Sequence, residues 1–200
     1  MTQFMTRYFL QEVSAWIVFT PFPLSLMLLI GVVSELPLNF MLVFVILSSV
    51  IVFSKYNEVR KNHRIMFALF PLRIRELLNT DVAFMSLITF CYSFISILLS
   101  AILTILLNNQ FIFASMEQLL LLVGCCFILI ATNLLFIWIN SPSISLIFFC
   151  IIFSTGFYWE FIIQLSLLQS VLMVILSGGF LLCCYLIVHA VKKRGGLKLL

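Results

Sequence analysis

The sequence predicts an all-α polytopic membrane protein with six transmembrane helices and both termini on the cytoplasmic side. Three observations predict it. The first is composition. Of 200 residues, 64% are apolar and only 9% are charged, whereas a soluble domain carries roughly 25% charged residues. Disorder is excluded by the same numbers, because it requires low hydrophobicity. The second is run length. Several apolar stretches reach the roughly 20 residues that a helix needs to cross the hydrocarbon, and the short alternating strands of a membrane barrel are missing. The third is charge placement. No Lys or Arg lies between Arg7 and Lys55, or between Arg75 and Lys192. A basic residue at mid-bilayer costs about 2.5–3.5 kcal/mol on insertion scales, so the bilayer belongs in those two gaps. Residues 1–200 are read as one membrane domain, with nothing left over for a soluble one.

Residues 1–13 form the first element. Phe4, Tyr8 and Phe9 share one helical face, and Gln3, Arg7 and Gln11 share another, the pattern of a short helix lying in the inner interface. The first span is 14–33. It is too long for the apolar core of a signal peptide and lacks a small-residue cleavage site after it, so it is expected to remain as an uncleaved span. Pro21 and Pro23 remove backbone donors inside it and predict a kink. A tight outer turn at 34–36 makes the second span, 37–53, its antiparallel neighbour. A basic cytoplasmic segment follows at 54–81, then spans at 82–107, 118–139, 143–159 and 170–191, and a basic tail at 192–200. Asn140-Ser141-Pro142 reads as a helix stop and a new start. Gly178-Gly179 in the last span predicts close helix approach. With this layout all eleven Lys and Arg residues fall on the cytoplasmic side, and the outer connections hold Glu35, Glu117 and Glu160. The positive-inside rule then sets both termini inside.

Groups that carry chemistry are sparse. Cys91, Cys125, Cys126, Cys150, Cys183 and Cys184 all lie in apolar spans with no Cys-x-x-Cys spacing. Adjacent cysteines point about 100° apart on a helix, so they read as packing residues. His63 and His189 have no metal-ligand spacing around them. There is no Gly-x-Ser-x-Gly, no paired carboxylate within a span and no phosphate-cradling loop. Asp81 and Glu160 are placed near opposite membrane surfaces. Thr132 and Asn133 are read as an interhelical hydrogen-bonding pair. No cofactor, metal, catalytic residue or nucleic-acid partner is expected, and uphill transport would need its energy from another subunit.

The segment 54–81 carries more than topology requires. Glu58, Arg60, Lys61 and Arg64 group together on a helix. Ile65, Met66, Phe67, Leu69 and Phe70 form an apolar patch, and Pro71 can end one element and start the next. Charged and apolar surface side by side is what a docking helix for a soluble partner needs. Here the chain resembles the membrane subunits of type-2 ABC exporters, especially small six-span bacterial permeases. Glu58, Arg60, Lys61 and Asn62 look like that family's charged stretch after the second span. Ile65 to Phe70 look like its apolar helix, and Phe70-Pro71-Leu72 like its turn. Arg73-Ile74-Arg75 stands where the family usually has Ser-Arg.

The resemblance implies a permease in a bacterial plasma membrane that pairs with a second copy or a related permease to line a path. A separate ATP-binding cassette subunit would dock on a cytoplasmic coupling helix between the second and third spans. Glu58, Arg60, Lys61 and Arg64 would make its polar contacts, with Met66, Leu69, Phe70 and Pro71 as the apolar wedge and turn. The apolar interior suits export of an amphipathic or hydrophobic cargo, such as a peptide, antibiotic or lipid-like molecule. A haem-exporter-like permease and a non-transporting assembly or immunity protein are the alternatives.

Overall fold

The computed structural model describes residues 2–33, 37–62, 74–108, 115–139 and 166–194, and every element among them is a helix. We number these α1 (Thr2–Phe19), α2 (Pro21–Val33), α3 (Pro37–Asn62), α4 (Ile74–Asn108), α5 (Met116–Ile139) and α6 (Leu167–Arg194). Four of them, α3 to α6, are long and apolar enough to cross a membrane, and α1 with α2 makes a fifth span if that bent pair is one. The predicted fifth span, 143–159, lies outside the described residues.

Local chemistry accounts for the helix ends. Pro21 and Pro23 cannot donate backbone hydrogen bonds, and the Thr20 hydroxyl bonds the Trp16 carbonyl just ahead of them. The chain bends there by 45°, as the two prolines predict. α1 runs unbroken through residues 2–12, so the amphipathic stretch is continuous with the start of the first span. Its faces are as expected: Phe9 is buried and Tyr8 half-buried, while Arg7 and Gln11 are exposed. α5 opens on a reciprocal cap. Ser115 N–H donates to Gln118 Oε1 at 3.0 Å, and Gln118 N–H donates to Ser115 Oγ at 3.3 Å. Ser166 N–H donates to Gln169 Oε1 at 3.0 Å in the same way at α6. Two orphan donors are thus satisfied by a Ser-x-x-Gln spacing.

Named contacts give the directions. Tyr56 meets Asp81 and Phe44 meets Tyr92, so α3 and α4 are antiparallel. Phe9 meets Phe84 and Ile17 meets Tyr92, so α1 runs parallel to α4. Asp81 meets Trp138 and Ser93 meets Cys126, so α4 and α5 are antiparallel. α5 and α6 run parallel. They are in van der Waals contact at Gly124, where an added Cβ would lie 3.4 Å from Ser177 Oγ and 3.7 Å from the Met173 carbonyl oxygen. The predicted close approach at Gly178-Gly179 therefore falls elsewhere. Gly178 has only the Phe127 ring at 3.9 Å, and Gly179 faces open space.

These directions bring Arg7, Lys55, Arg60, Lys61, Arg75 and the 192–194 basic run to one end of the bundle, hereafter the basic end. Glu117 starts α5 at the other. α4 has 35 residues, about 52 Å at 1.5 Å per residue, against a hydrocarbon core of about 30 Å. The excess explains a boundary difference. The second and third spans were expected to stop at 53 and start at 82, yet α3 continues to Asn62 and α4 begins at Ile74. Much of the expected cytoplasmic segment is a prolongation of two spanning helices.

Polar groups in the middle of the bundle mostly serve their own helix. Thr89, Ser93, Ser96, Ser100 and Thr104 line one buried face of α4. Ser93 bonds the Thr89 carbonyl, Ser96 that of Ser93, and Thr104 that of Ser100, at 2.8–2.9 Å. Thr132 and Asn133 both bond the Leu129 carbonyl, at 3.0 and 2.8 Å. Their expected interhelical role is replaced by this back-bonding, which a helix in lipid offers to any hydroxyl or amide one turn away.

Candidate functional site

The site is built on a single carboxylate. Along α4, Leu77, Leu78, Phe84, Met85 and Ile88 are buried at helical spacing, and Asp81 occupies the same stripe at 2% exposure. The helix therefore delivers a charged group into its own packing face. A buried carboxylate without partners would cost far more than this fold could absorb, and three neighbours supply them. Tyr56 O–H donates to Asp81 Oδ1. Trp138 Nε1–H donates to Oδ2 at 2.7 Å. Arg60 Nη2 lies 3.2 Å from the same Oδ2.

Each donor is placed by a helix end. Tyr56 and Arg60 are four apart near the C-terminus of α3, so they project from one face. Trp138 is one residue from the end of α5. Its indole ring serves twice: the N–H bonds Asp81, and the ring face receives Arg60, whose guanidinium carbon is 4.6 Å from the centroid. Tyr56 is held by aromatic contact, stacked on Phe84 at 4.3 Å and 15° and met edge-on by Phe9 at 4.7 Å. Two residues before Asp81, on another face of α4, Tyr185 O–H donates to the exposed Asn79 Oδ1 at 2.7 Å and ties α6 to the same end of α4. The cluster thus gathers α1, α3, α4, α5 and α6 at the basic end. Among the described residues, no group of three His, Cys, Asp or Glu side chains is placed to hold a metal ion.

The residues expected to dock a partner divide. Glu58 is on the surface, 2.8 Å from Lys55 in an exposed pair, and Lys61 is exposed beside it. Arg60 faces the other way. Its side chain is 17% exposed and engaged by Asp81 and Trp138, so its guanidinium acts inside the bundle instead of on an outer surface. Arg64, Met66, Leu69, Phe70 and Pro71 lie outside the described residues, as do His63 and Cys150. Cys126 and Cys184 are buried, Cys125 is half-buried, and Cys91 and Cys183 are exposed; all five are free thiols. Cys126 Sγ lies 3.0 Å from Ser93 Oγ.

Sequence reasoning missed Asp81, Tyr56 and Trp138 as a unit. Asp81 reads from position alone as a surface acid beside a basic loop. The available signal was its register: it falls on the 77, 78, 84, 85, 88 stripe, where only a partnered acid belongs.

Compared with protein-family models, with curated proteins and with solved structures, the chain matches none. The fold and the site define an all-helical chain, with four or five helices long and apolar enough to cross a membrane and a buried ion-pair cluster at its basic end.

Proposed function

We propose that the chain is the permease subunit of an ATP-driven exporter of the type-2 ABC kind, paired with a second copy or a related permease and powered by a separate ATP-binding subunit. The observation that carries this reading is the mounting of the 63–73 connection. It leaves α3 two residues after Arg60 and enters α4 seven residues before Asp81. A push on it from the cytoplasm is therefore delivered to a cluster that also holds α1, α5 and α6. Displacement of the adjoining ends of α3 and α4 would reach most of the bundle through this cluster, as a remotely driven two-state element requires.

Six spans with both termini inside fit this reading. α5 and α6 run parallel, so the chain between them returns from the basic end to the opposite one. The basic groups of the described helices gather at a single end, which under the positive-inside rule is the cytoplasmic one; the bacterial plasma membrane is the setting that the resemblance to type-2 exporters implies. The cargo consistent with a wall of aliphatic, aromatic and hydroxyl side chains is amphipathic or hydrophobic.

Affinity purification of the tagged chain from cells that make it tests the reading. A stoichiometric ATP-binding subunit is expected in the eluate. Lys61→Glu with Arg64→Glu should weaken its capture while the chain still inserts. If no ATPase is retained by the unaltered chain, the permease reading fails.

A further inference from the structure

The six helices form two groups. α1 to α4 pack on one another. α6 touches only α5 and α4 among the described residues, and α5 reaches the first group through α3 and α4. α5 and α6 pack on each other more extensively than any other two described helices.

The side-chain bonds joining this pair to the first group sit at two levels. At the basic end are Trp138 to Asp81 and Tyr185 to Asn79, both 2.7 Å. Twelve residues further along α4, about 18 Å by helical rise, Ser93 meets Cys126 at 3.0 Å, and Phe90 meets Phe127 edge-on with centroids 6.1 Å apart. The end contacts are a charge-assisted bond and a phenol–amide bond, and each locks a direction. The middle contacts are a thiol–hydroxyl pair and two rings, which tolerate rotation.

We infer that the α5–α6 pair is a rocking unit, latched at the basic end by Trp138–Asp81 and Tyr185–Asn79 and pivoting about the Ser93–Cys126 and Phe90–Phe127 level. Opening the two latch bonds parts the basic ends of α5 and α6 from α3 and α4 while the middle stays closed. Arg60 couples the latch to the connection after α3. It shares Oδ2 of Asp81 with the Trp138 N–H and lies on the Trp138 ring, so displacing the end of α3 disturbs both Trp138 contacts at once. This rests on the transport reading only for what the opening serves.

Thiol labelling of the full-length chain tests it without transport or a partner, so its failure is separable from failure of the permease assignment. Leu134 is fully buried on α5, one turn before Trp138. In a chain with all native cysteines replaced, Leu134→Cys reports the basic-end seam. In a second chain, Cys126 alone reports the pivot. Tyr185→Phe keeps its ring and removes the hydroxyl donor, and Trp138→Phe removes the indole N–H together with part of the ring that faces Arg60. The expected result is an increase of about tenfold or more in maleimide labelling at position 134, as loss of two net bonds predicts, with labelling at Cys126 unchanged. An unchanged rate at 134 overturns the latch. An equal rise at both positions means general loosening and overturns it too.

Discussion

Removing both charges of the Arg60–Asp81 pair should cost less than the two single removals summed. At 3.2 Å, two unit charges attract by about 5 kcal/mol at an effective dielectric of about 20. Desolvating each ion costs several kcal/mol, so the pair's net contribution is small. The asymmetry appears when one partner is lost. Asp81→Leu strands a guanidinium in a site where it is 17% exposed, at about 3–5 kcal/mol. It also removes the acceptor of the Tyr56 hydroxyl and the Trp138 N–H, at about 1–3 kcal/mol each. Arg60→Met costs less, because Asp81 keeps those two donors. The double variant no longer buries an unpaired charge. Its cost should fall below the sum of the single costs by about 2–3 kcal/mol, within the coupling range for contacting residues. Adding Tyr56→Phe should recover part of the remainder. Equilibrium unfolding of the four cycle members in one detergent measures the coupling. If the two single effects sum to the double within about 0.5 kcal/mol, Arg60 and Asp81 are independent and the cluster is misassigned.

Tyr56→Phe alone keeps the Phe84 stack and removes one hydroxyl bond to a charged group, so a loss of about 1.5–3 kcal/mol is expected in the same unfolding assay. Thr89 is fully buried and its hydroxyl has no hydrogen-bond partner among the described residues; Thr89→Val should therefore raise stability, by about 1 kcal/mol, and a fall would show a partner for that hydroxyl. Gly31→Ala places a Cβ 2.5 Å from Phe40 Cβ, so it should lower the thermal midpoint in detergent, whereas Gly179→Ala meets open space and should leave it unchanged. Lys55→Ala removes an exposed i,i+3 pair and should shift stability by less than about 0.5 kcal/mol; a larger loss would assign the energy to the Lys55 contact with the Trp16 ring, 4.9 Å away.

Much of the scaffold could be read from residues. Proline marks the bend at Thr20 because its missing donor is a property of the residue, independent of neighbours. Basic residues mark one end because lipid penalises them wherever the chain folds. The apolar runs mark α3 to α6 for the same reason. What escaped reading depends on pairing across helices. Asp81 looks superficial until Trp138, 57 residues on, and Arg60, 21 residues back, are brought to it. Arg60 in a row of surface charges carries no sign that it turns inward. Asn133 has the chemistry to bridge helices, but its own Leu129 carbonyl is nearer. Glycine type alone did not separate Gly124, which touches a neighbouring backbone, from Gly179, which touches nothing, because the distinction lies in which face α5 and α6 present to each other.

The hydroxyl row on α4 has a mechanical consequence. Ser96 and Thr104 spend their hydrogen bonds on carbonyls of the same helix and, among the described residues, bond nothing on the helices they face. A neighbour can slide along this face by a fraction of a turn without stranding those donors in lipid. Beyond the Ser93–Cys126 level this face therefore offers little directional resistance, which is concentrated instead where Asp81 anchors the opposite end of α4.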